Sequence, residues 1–271
     1  MAGAGTVSHF ANSKELTRDM SGSRREKFSK VPEVTLLFWI IKIAATTLGE
    51  TGGDAVSMSM NLGYLVSTAI FGAVFAILVI IQIRVTQFHP VLYWSTIIAT
   101  TTLGTTLADF ADRSLGIGYP GGTSLLIIFL VSSLFIWHRS LGSISVNTVV
   151  SPAAEWFYWM TIMFSQTLGT ALGDWAADSV GFGYGGSAVV FCGLLTIVCL
   201  LYNWTPISRT VLFWVAFVLT RPLGAVMGDF LDKPLSAGGL AFSRYTASLV
   251  LLGFIVGCIL LLPQRPAKQA H

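Results

Sequence analysis

Apolar residues fall into eight long blocks separated by short polar turns, and the blocks are of two kinds. Residues 64–83, 121–137, 189–204 and 247–262 are almost purely apolar. An α-helix needs roughly 20 such residues to cross a hydrocarbon core of about 30 Å, so each is long enough, the shorter two with their flanks. The other four blocks, roughly 34–53, 91–110, 156–175 and 211–230, are apolar but rich in Thr and Gly, and each ends near an acid. The two kinds alternate along the chain. The pattern predicts an all-α integral membrane fold of eight transmembrane helices, with no room for a soluble domain.

The second kind of block is one phrase written four times: FWIIKIAATTLGETGGD, YWSTIIATTTLGTTLAD, YWMTIMFSQTLGTALGD and FWVAFVLTRPLGAVMGD. Each copy starts with Phe or Tyr before a Trp (Trp39, Trp94, Trp159, Trp214). Each has Leu-Gly nine residues on, and each closes on Asp54, Asp109, Asp174 or Asp229. The Trp spacings are 55, 65 and 55, so copies one and three, and two and four, are each 120 apart. This reads as a two-helix hairpin duplicated and then duplicated again, giving pseudo-fourfold, two-by-two internal symmetry. The boundaries are a polar arm over 1–30, repeats over 31–88, 89–151, 152–206 and 207–263, and a tail over 264–271. Because each repeat crosses twice, the copies are parallel, related by an axis along the membrane normal. If the first helices line the centre, the four Asp residues converge on one site.

Gly49/Gly53, Gly104/Ala108, Gly169/Gly173 and Gly224/Gly228 are small-xxx-small pairs in register. Such pairs let helix backbones approach closely, within one chain or between copies in a homo-oligomer. Eight of the thirteen acids form pairs three or four apart: Glu50 with Asp54, Asp109 with Asp112, Asp174 with Asp178, Asp229 with Asp232. In a continuous helix each pair shares one face, about a quarter-turn from the glycine stripe. One stripe then packs while the other faces a cavity. Glycine-rich turns follow the acids and reverse the chain into the return helix. The Gly183-Tyr184-Gly185 triplet has the look of a potassium-channel filter, but about ten residues between Asp and Tyr leave no room for a pore helix.

Composition sharpens this picture. The chain has 271 residues, 54% hydrophobic and 11% charged, with mean hydropathy +0.72, which places it in the membrane class. Eleven Lys and Arg fall on the side of the N-terminus, and three, Arg113, Lys233 and Arg244, on the other. The positive-inside rule therefore puts both termini in the cytoplasm. The net charge of +3 reflects this asymmetry and not a nucleic-acid surface. Ser23-Arg24-Arg25 is read as a positive flank of the first span rather than a twin-arginine signal, and no cleavable leader is evident. Cys192, Cys199 and Cys258 lie in apolar blocks and read as packing residues. The four His lie outside the spans or at their ends, which argues against an intramembrane haem or His-built metal site.

Carboxylates inside a membrane are costly, so an acid at one depth in every repeat marks a functional site. Carboxylate and Thr oxygens suit hard cations. The candidate metal-binding set is Asp54, Asp109, Asp174 and Asp229, with Glu50, Asp112, Asp178 and Asp232 as a second layer or outer vestibule. No resident cofactor is implied. Two cations lie within spans. Both are candidate counter-ions or gates: Lys42, ~18 Å along the helix from Asp54, pairs with another group or snorkels, and Arg221 lies ~12 Å from Asp229. Arg221 stands where the other copies have Thr46, Thr101 and Gln166, and Pro222 after it favours a kink. No Ser/His or His-Glu-x-x-His arrangement falls in the spans, so an enzyme is disfavoured.

The aromatic-Trp start, the Leu-Gly and the Gly/Ala-Asp ending resemble a bacterial family of uncharacterised, membrane-anchored inner-membrane proteins built from four two-helix repeats. The resemblance covers about residues 34–262. It implies a multi-pass inner-membrane protein and brings no assigned site residues. The expected function is transport of a small cation, as a divalent metal exporter or proton-coupled exchanger. A carrier of an organic cation or other small solute, using the aromatic residues as lining, and a non-transporting scaffold or sensor are the alternatives.

Overall fold

The structure, a computed structural model, describes residues 29–267. Of the polar arm expected over 1–30, all but Ser29 and Lys30 lies outside the described residues, as do 268–271. Eight long helices carry the fold: α1 (Leu36–Asp54), α2 (Gly63–Arg84), α3 (Pro90–Asp109), α4 (Tyr119–Leu141), α5 (Pro152–Asp174), α6 (Gly183–Trp204), α7 (Arg209–Asp232) and α8 (Arg244–Leu261). Their starts follow local chemistry. The Thr35 hydroxyl accepts from the Phe38 N–H, and Ser151 from the Ala154 N–H, each satisfying a donor that the first helical turn leaves free. Pro90 and Pro152 open α3 and α5, where a missing N–H costs nothing. Glycines with positive φ at 63, 118 and 183 turn the chain into α2, α4 and α6.

The first helices of the four repeats, α1, α3, α5 and α7, form a closed ring in that order, with α7 returning to α1. The return helices lie outside it. They do not form the hairpins that the repeat suggests. Each packs instead on the inner helix of the following repeat: α2 on α3, α4 on α5, α6 on α7, and α8 on α1. The Thr51 hydroxyl in α1 lies 2.9 Å from Ser248 in α8, and Ser133 in α4 lies 2.6 Å from Thr161 in α5.

Glycine sets how closely the ring closes, and the two members of each small-xxx-small pair do different work. At the first member the helices touch. A Cβ on Gly49 would collide with the Thr101 side chain, one on Gly104 with the Gln166 backbone, one on Gly169 with Arg221, and one on Gly224 with Thr46. The four collisions are one contact repeated around the ring. At the second member the seam is looser, which corrects the equal weight that the sequence pattern gives the two. A Cβ on Gly53 would stand 3.1 Å from Thr105, and one on Gly173 would stand 3.1 Å from Ala225. Ala108 already carries a Cβ at this position and is 1% exposed. Gly228 is tighter, with Glu50 Cβ 2.6 Å from a Cβ placed there, because the facing residue is now a glutamate. All these contacts lie within one chain, where the stripes close the ring.

Hydroxyls bridge the same seams: Thr101 donates to the Ala45 carbonyl at 3.2 Å, and Thr46 to the Thr220 carbonyl at 3.2 Å. Thr47, Thr102 and Thr167 donate to carbonyls four residues back in their own helices, so these polar residues are satisfied inside the ring. The fourth copy has Pro222 at that position.

The repeated aromatic pair closes one end. Phe38 lies against Trp94, Tyr93 against Trp159, Tyr158 against Trp214 and Phe213 against Trp39, with ring centroids 5.5, 5.7, 6.2 and 5.8 Å apart. Each aromatic thus meets the Trp of a neighbouring copy, which makes a continuous collar whose pairs each contribute ~0.5–1.5 kcal/mol beyond burial. Outside the collar the two ends of the described residues meet. Pro32 and Pro266 form an antiparallel bridge, and the Ala267 N–H donates to the Val31 carbonyl at 2.9 Å. Lys30, assigned by sequence to the polar arm, is buried. It pairs with Glu155 at 2.6 Å and donates to the last carbonyls of α2.

Five helices, α2, α4, α6, α7 and α8, are long and apolar enough to cross a membrane. Only 17% of the apolar stretch of α2 is buried inside the protein, against 61% for α7. Return helices therefore present an apolar exterior, and the inner ring keeps its Thr, Gly and acids inside.

Candidate functional site

The four repeat aspartates all sit at the end of the ring opposite the collar. Asp54, Asp109, Asp174 and Asp229 are each no more than 4% exposed, and each is held by a cation. Arg113 reaches Asp109 at 2.8 Å through Nε and Asp174 at 3.2 Å through Nη2. Lys233 Nζ lies 2.9 Å from Asp54 and 3.0 Å from Asp229. The aspartates are therefore brought to one end and joined in two pairs. One pair spans repeats two and three, the other repeats four and one.

Arg113 and Lys233 occupy the same position, four residues after their own aspartates and 120 apart in sequence. Sequence reasoning counts both only as loop cations, and Arg244 likewise. Their spacing from the aspartates in alternate repeats is the signal that marks them. Burial works against the Lys233 charge, but the Asp229 and Asp54 carboxylates outweigh it and hold its pKa above the ordinary lysine value. The ammonium therefore stays charged at neutral pH.

The second acids of the sequence pairs are not one shell. After Asp54, Asp109 and Asp174 the helix widens into a π-helical turn: Ala55–Ser59, Phe110–Ser114 and Trp175–Ser179. The N–H groups of Met60, Leu115 and Val180 bond five residues back, which takes the following residues out of the 100° register. Asp112 lies against Gly122 of its own return helix. Asp178 accepts from the Tyr119 hydroxyl at 3.2 Å in an exposed position. In repeat four, α7 continues unwidened to Asp232, which accepts from Arg244 Nε at 3.1 Å. Arg244 also approaches Asp54, at 3.7 Å. Oxygens of Asp54, Asp229 and Asp232 lie within 4.8 Å of one another.

Glu50 is not in the outer vestibule. It turns inward and meets Arg221 Nη2 at 3.0 Å, and that nitrogen also donates to the Thr105 hydroxyl at 2.6 Å and to the Thr170 hydroxyl. Glu50, Thr105 and Thr170 are the same repeat position, eleven after each Trp, and the fourth is Ala225. One guanidinium nitrogen thus touches all three other inner helices. Arg221 is fully buried, and Pro222 lies inside α7 without ending it.

Lys42 neither pairs with a carboxylate nor snorkels. It is fully buried with its ammonium 4.2 Å above the Phe217 ring centroid, a cation–π contact, and it has no hydrogen-bond partner among the described residues. A groove of about 590 Å³ opens between α1, α6 and α7, lined by residues including Trp39, Ile43, Cys199 and Phe213. It contains none of the acids.

The arrangement defines a class: a ring of four close-packed inner helices, one buried aspartate per repeat at a common end, and an interlocked outer layer. Comparison by family agrees with this division. The chain matches the family described as Repeat of Unknown Function (DUF347) four times, over residues 37–88, 92–143, 157–207 and 212–263, and it belongs to that family. No curated protein and no solved structure matches it.

Proposed function

We propose that all eight helices cross a bacterial inner membrane with both termini in the cytoplasm, and that the protein transports a small cation through its aspartate end. Membrane insertion is supported by the return helices, whose apolar side chains, such as Leu65, Ile77, Phe135, Val189 and Leu249, face outward over a larger area than a soluble monomer exposes. The inner helices α1, α3 and α5 are less apolar because their Thr and Gly face one another within the ring.

Transport rests on one observation: every repeat buries a carboxylate at the same end of the ring, and these are held two to a tethered cation that bridges one repeat to another. Buried ion pairs add little stability compared with apolar packing. Lys233 and Arg113 stand where a carried cation would stand. Seven carboxylates against three cations at that end leave a net negative mouth that attracts cations. Arg221 with Glu50 closes the axis behind it, and the aromatic collar closes the opposite end. In this reading the carried ion releases a tethered cation, and movement along the seams opens the other side.

The test is cation flux in proteoliposomes, with elemental analysis of expressing cells under a panel of metals. D54N/D174N, which removes one carboxylate from each pair, should abolish flux while the protein stays in the membrane. Unchanged flux and metal content would refute a transport role for the acids.

A further inference from the structure

The two bridged pairs are equivalent by position and different in chemistry. Between repeats two and three the bridge is arginine, a rigid planar fork that is always charged and engages each carboxylate through a different nitrogen. Between repeats four and one it is lysine, a single point charge on a flexible stem. The lysine side also gathers a third carboxylate, Asp232, whereas the equivalent Asp112 lies against its own return helix. Asp54 Oδ1 and Asp232 Oδ1 are buried and accept no hydrogen bond among the described residues; Asp112 Oδ1 shares this, but only on the lysine side do such oxygens belong to three acids gathered together. An orphaned buried carboxylate oxygen is costly and marks a place for a ligand.

Geometry and charge restrict that ligand. Three oxygens within 4.8 Å of one another fit around one ion with bonds of about 2.3–2.6 Å, the range of Ca²⁺ among the hard divalent cations. The donors are all oxygen, which excludes soft thiolate chemistry. With Lys233 in place, the three carboxylates face two cations, Lys233 and Arg244. With Lys233 withdrawn, they face Arg244 alone and carry two uncompensated negative charges, which match a divalent ion. The ion and the ammonium therefore exclude one another.

We propose that Asp54, Asp229 and Asp232 bind a hard divalent cation in exchange for the Lys233 ammonium, while Asp109–Arg113–Asp174 is a fixed tie. This deepens the transport reading by naming the cargo and the working half of the ring. Lys233 follows the end of α7 and is 13% exposed at its side chain, so it swings toward water without unwinding a helix. It returns when the ion leaves, and so resets the site.

The test is equilibrium binding of Mn²⁺, Ca²⁺ and Mg²⁺ to the purified full chain in detergent, with Mn²⁺ also followed by its electron paramagnetic resonance spectrum, and flux measured in parallel. The wild type should bind one ion per chain. D232N should weaken binding at least about tenfold. K233Q, which removes the competitor, should tighten it at least about tenfold, because a unit charge at such a distance contributes more than that. K233R preserves the charge and installs the fork of the other half, so it should weaken binding. A lysine that merely stabilised the fold would give no tightening in K233Q. No stoichiometric binding in either wild type or K233Q, or equal affinity in K233Q, K233R and wild type, would overturn the proposal. Flux that persists in D232N and ignores K233Q overturns this site and leaves transport standing. Binding that follows the predicted order without any flux upholds the site and removes transport.

Discussion

Arg221 shows how much one residue can commit in this ring. Its Nη2 joins α7 to α1, α3 and α5 at a single point, in surroundings where an unpaired charge is expensive. R221Q should therefore strand Glu50 and destabilise the protein by about 3–5 kcal/mol, seen as a lower unfolding temperature in detergent. Replacing both partners, as R221M/E50L, should recover much of that loss. G224V should also lower the unfolding temperature, by ~1–3 kcal/mol of overpacking, because the added side chain meets Thr46. G53A should cost less than G224A in the same measurement, since the Gly53 seam is looser and Ala108 already fills its equivalent. The sequence marks Arg221 and the glycines as exceptional, since four aligned copies expose any departure from the pattern. It leaves the partner of Arg221 open, because Glu50 is 171 positions away and only ring closure makes repeats four and one neighbours. Lys42 illustrates the same limit: no spacing rule foretells a rest on Phe217.

Among the elements, the outer layer departs most from what the repeat suggests. Spacing locates where eight helices begin, but adjacency in sequence is not contact, and each return helix skips its own partner for the next. Paired cysteines test this. T51C/S248C and S133C/T161C should each cross-link within one chain, giving a compact monomer on non-reducing gels, and a pair placed between α1 and α2 should not. Linked dimers in place of monomers would show that the seam closes between chains. The π-helical turns are likewise illegible, because they insert a wider turn without any change of composition. Extending the α-helical register through them puts Asp112 and Asp178 on the face of Asp109 and Asp174, whereas the structure turns Asp112 toward α4 and Asp178 toward Tyr119.

At the scale of the molecule, two symmetries are superposed. Packing contacts repeat four times around the ring: glycine seams, aromatic collar and offset return helices. Charge repeats only twice, with Arg113 and Lys233 in alternate repeats, and the seams they tie are those between the two duplicated halves and not those within them. The halves are thus stitched to each other at the aspartate end. The offset of the return helices has one more consequence. A ring in which every repeat borrows its cover from its neighbour has no natural first member, and the bridge between Pro32 and Pro266 brings the two ends of the described chain together. A circular permutant, opened in the connection between α4 and α5 and joined across that bridge, should assemble the same ring and retain the T51C/S248C cross-link. If it does not, the order in which the helices are made and pack, and not their final contacts, selects this arrangement.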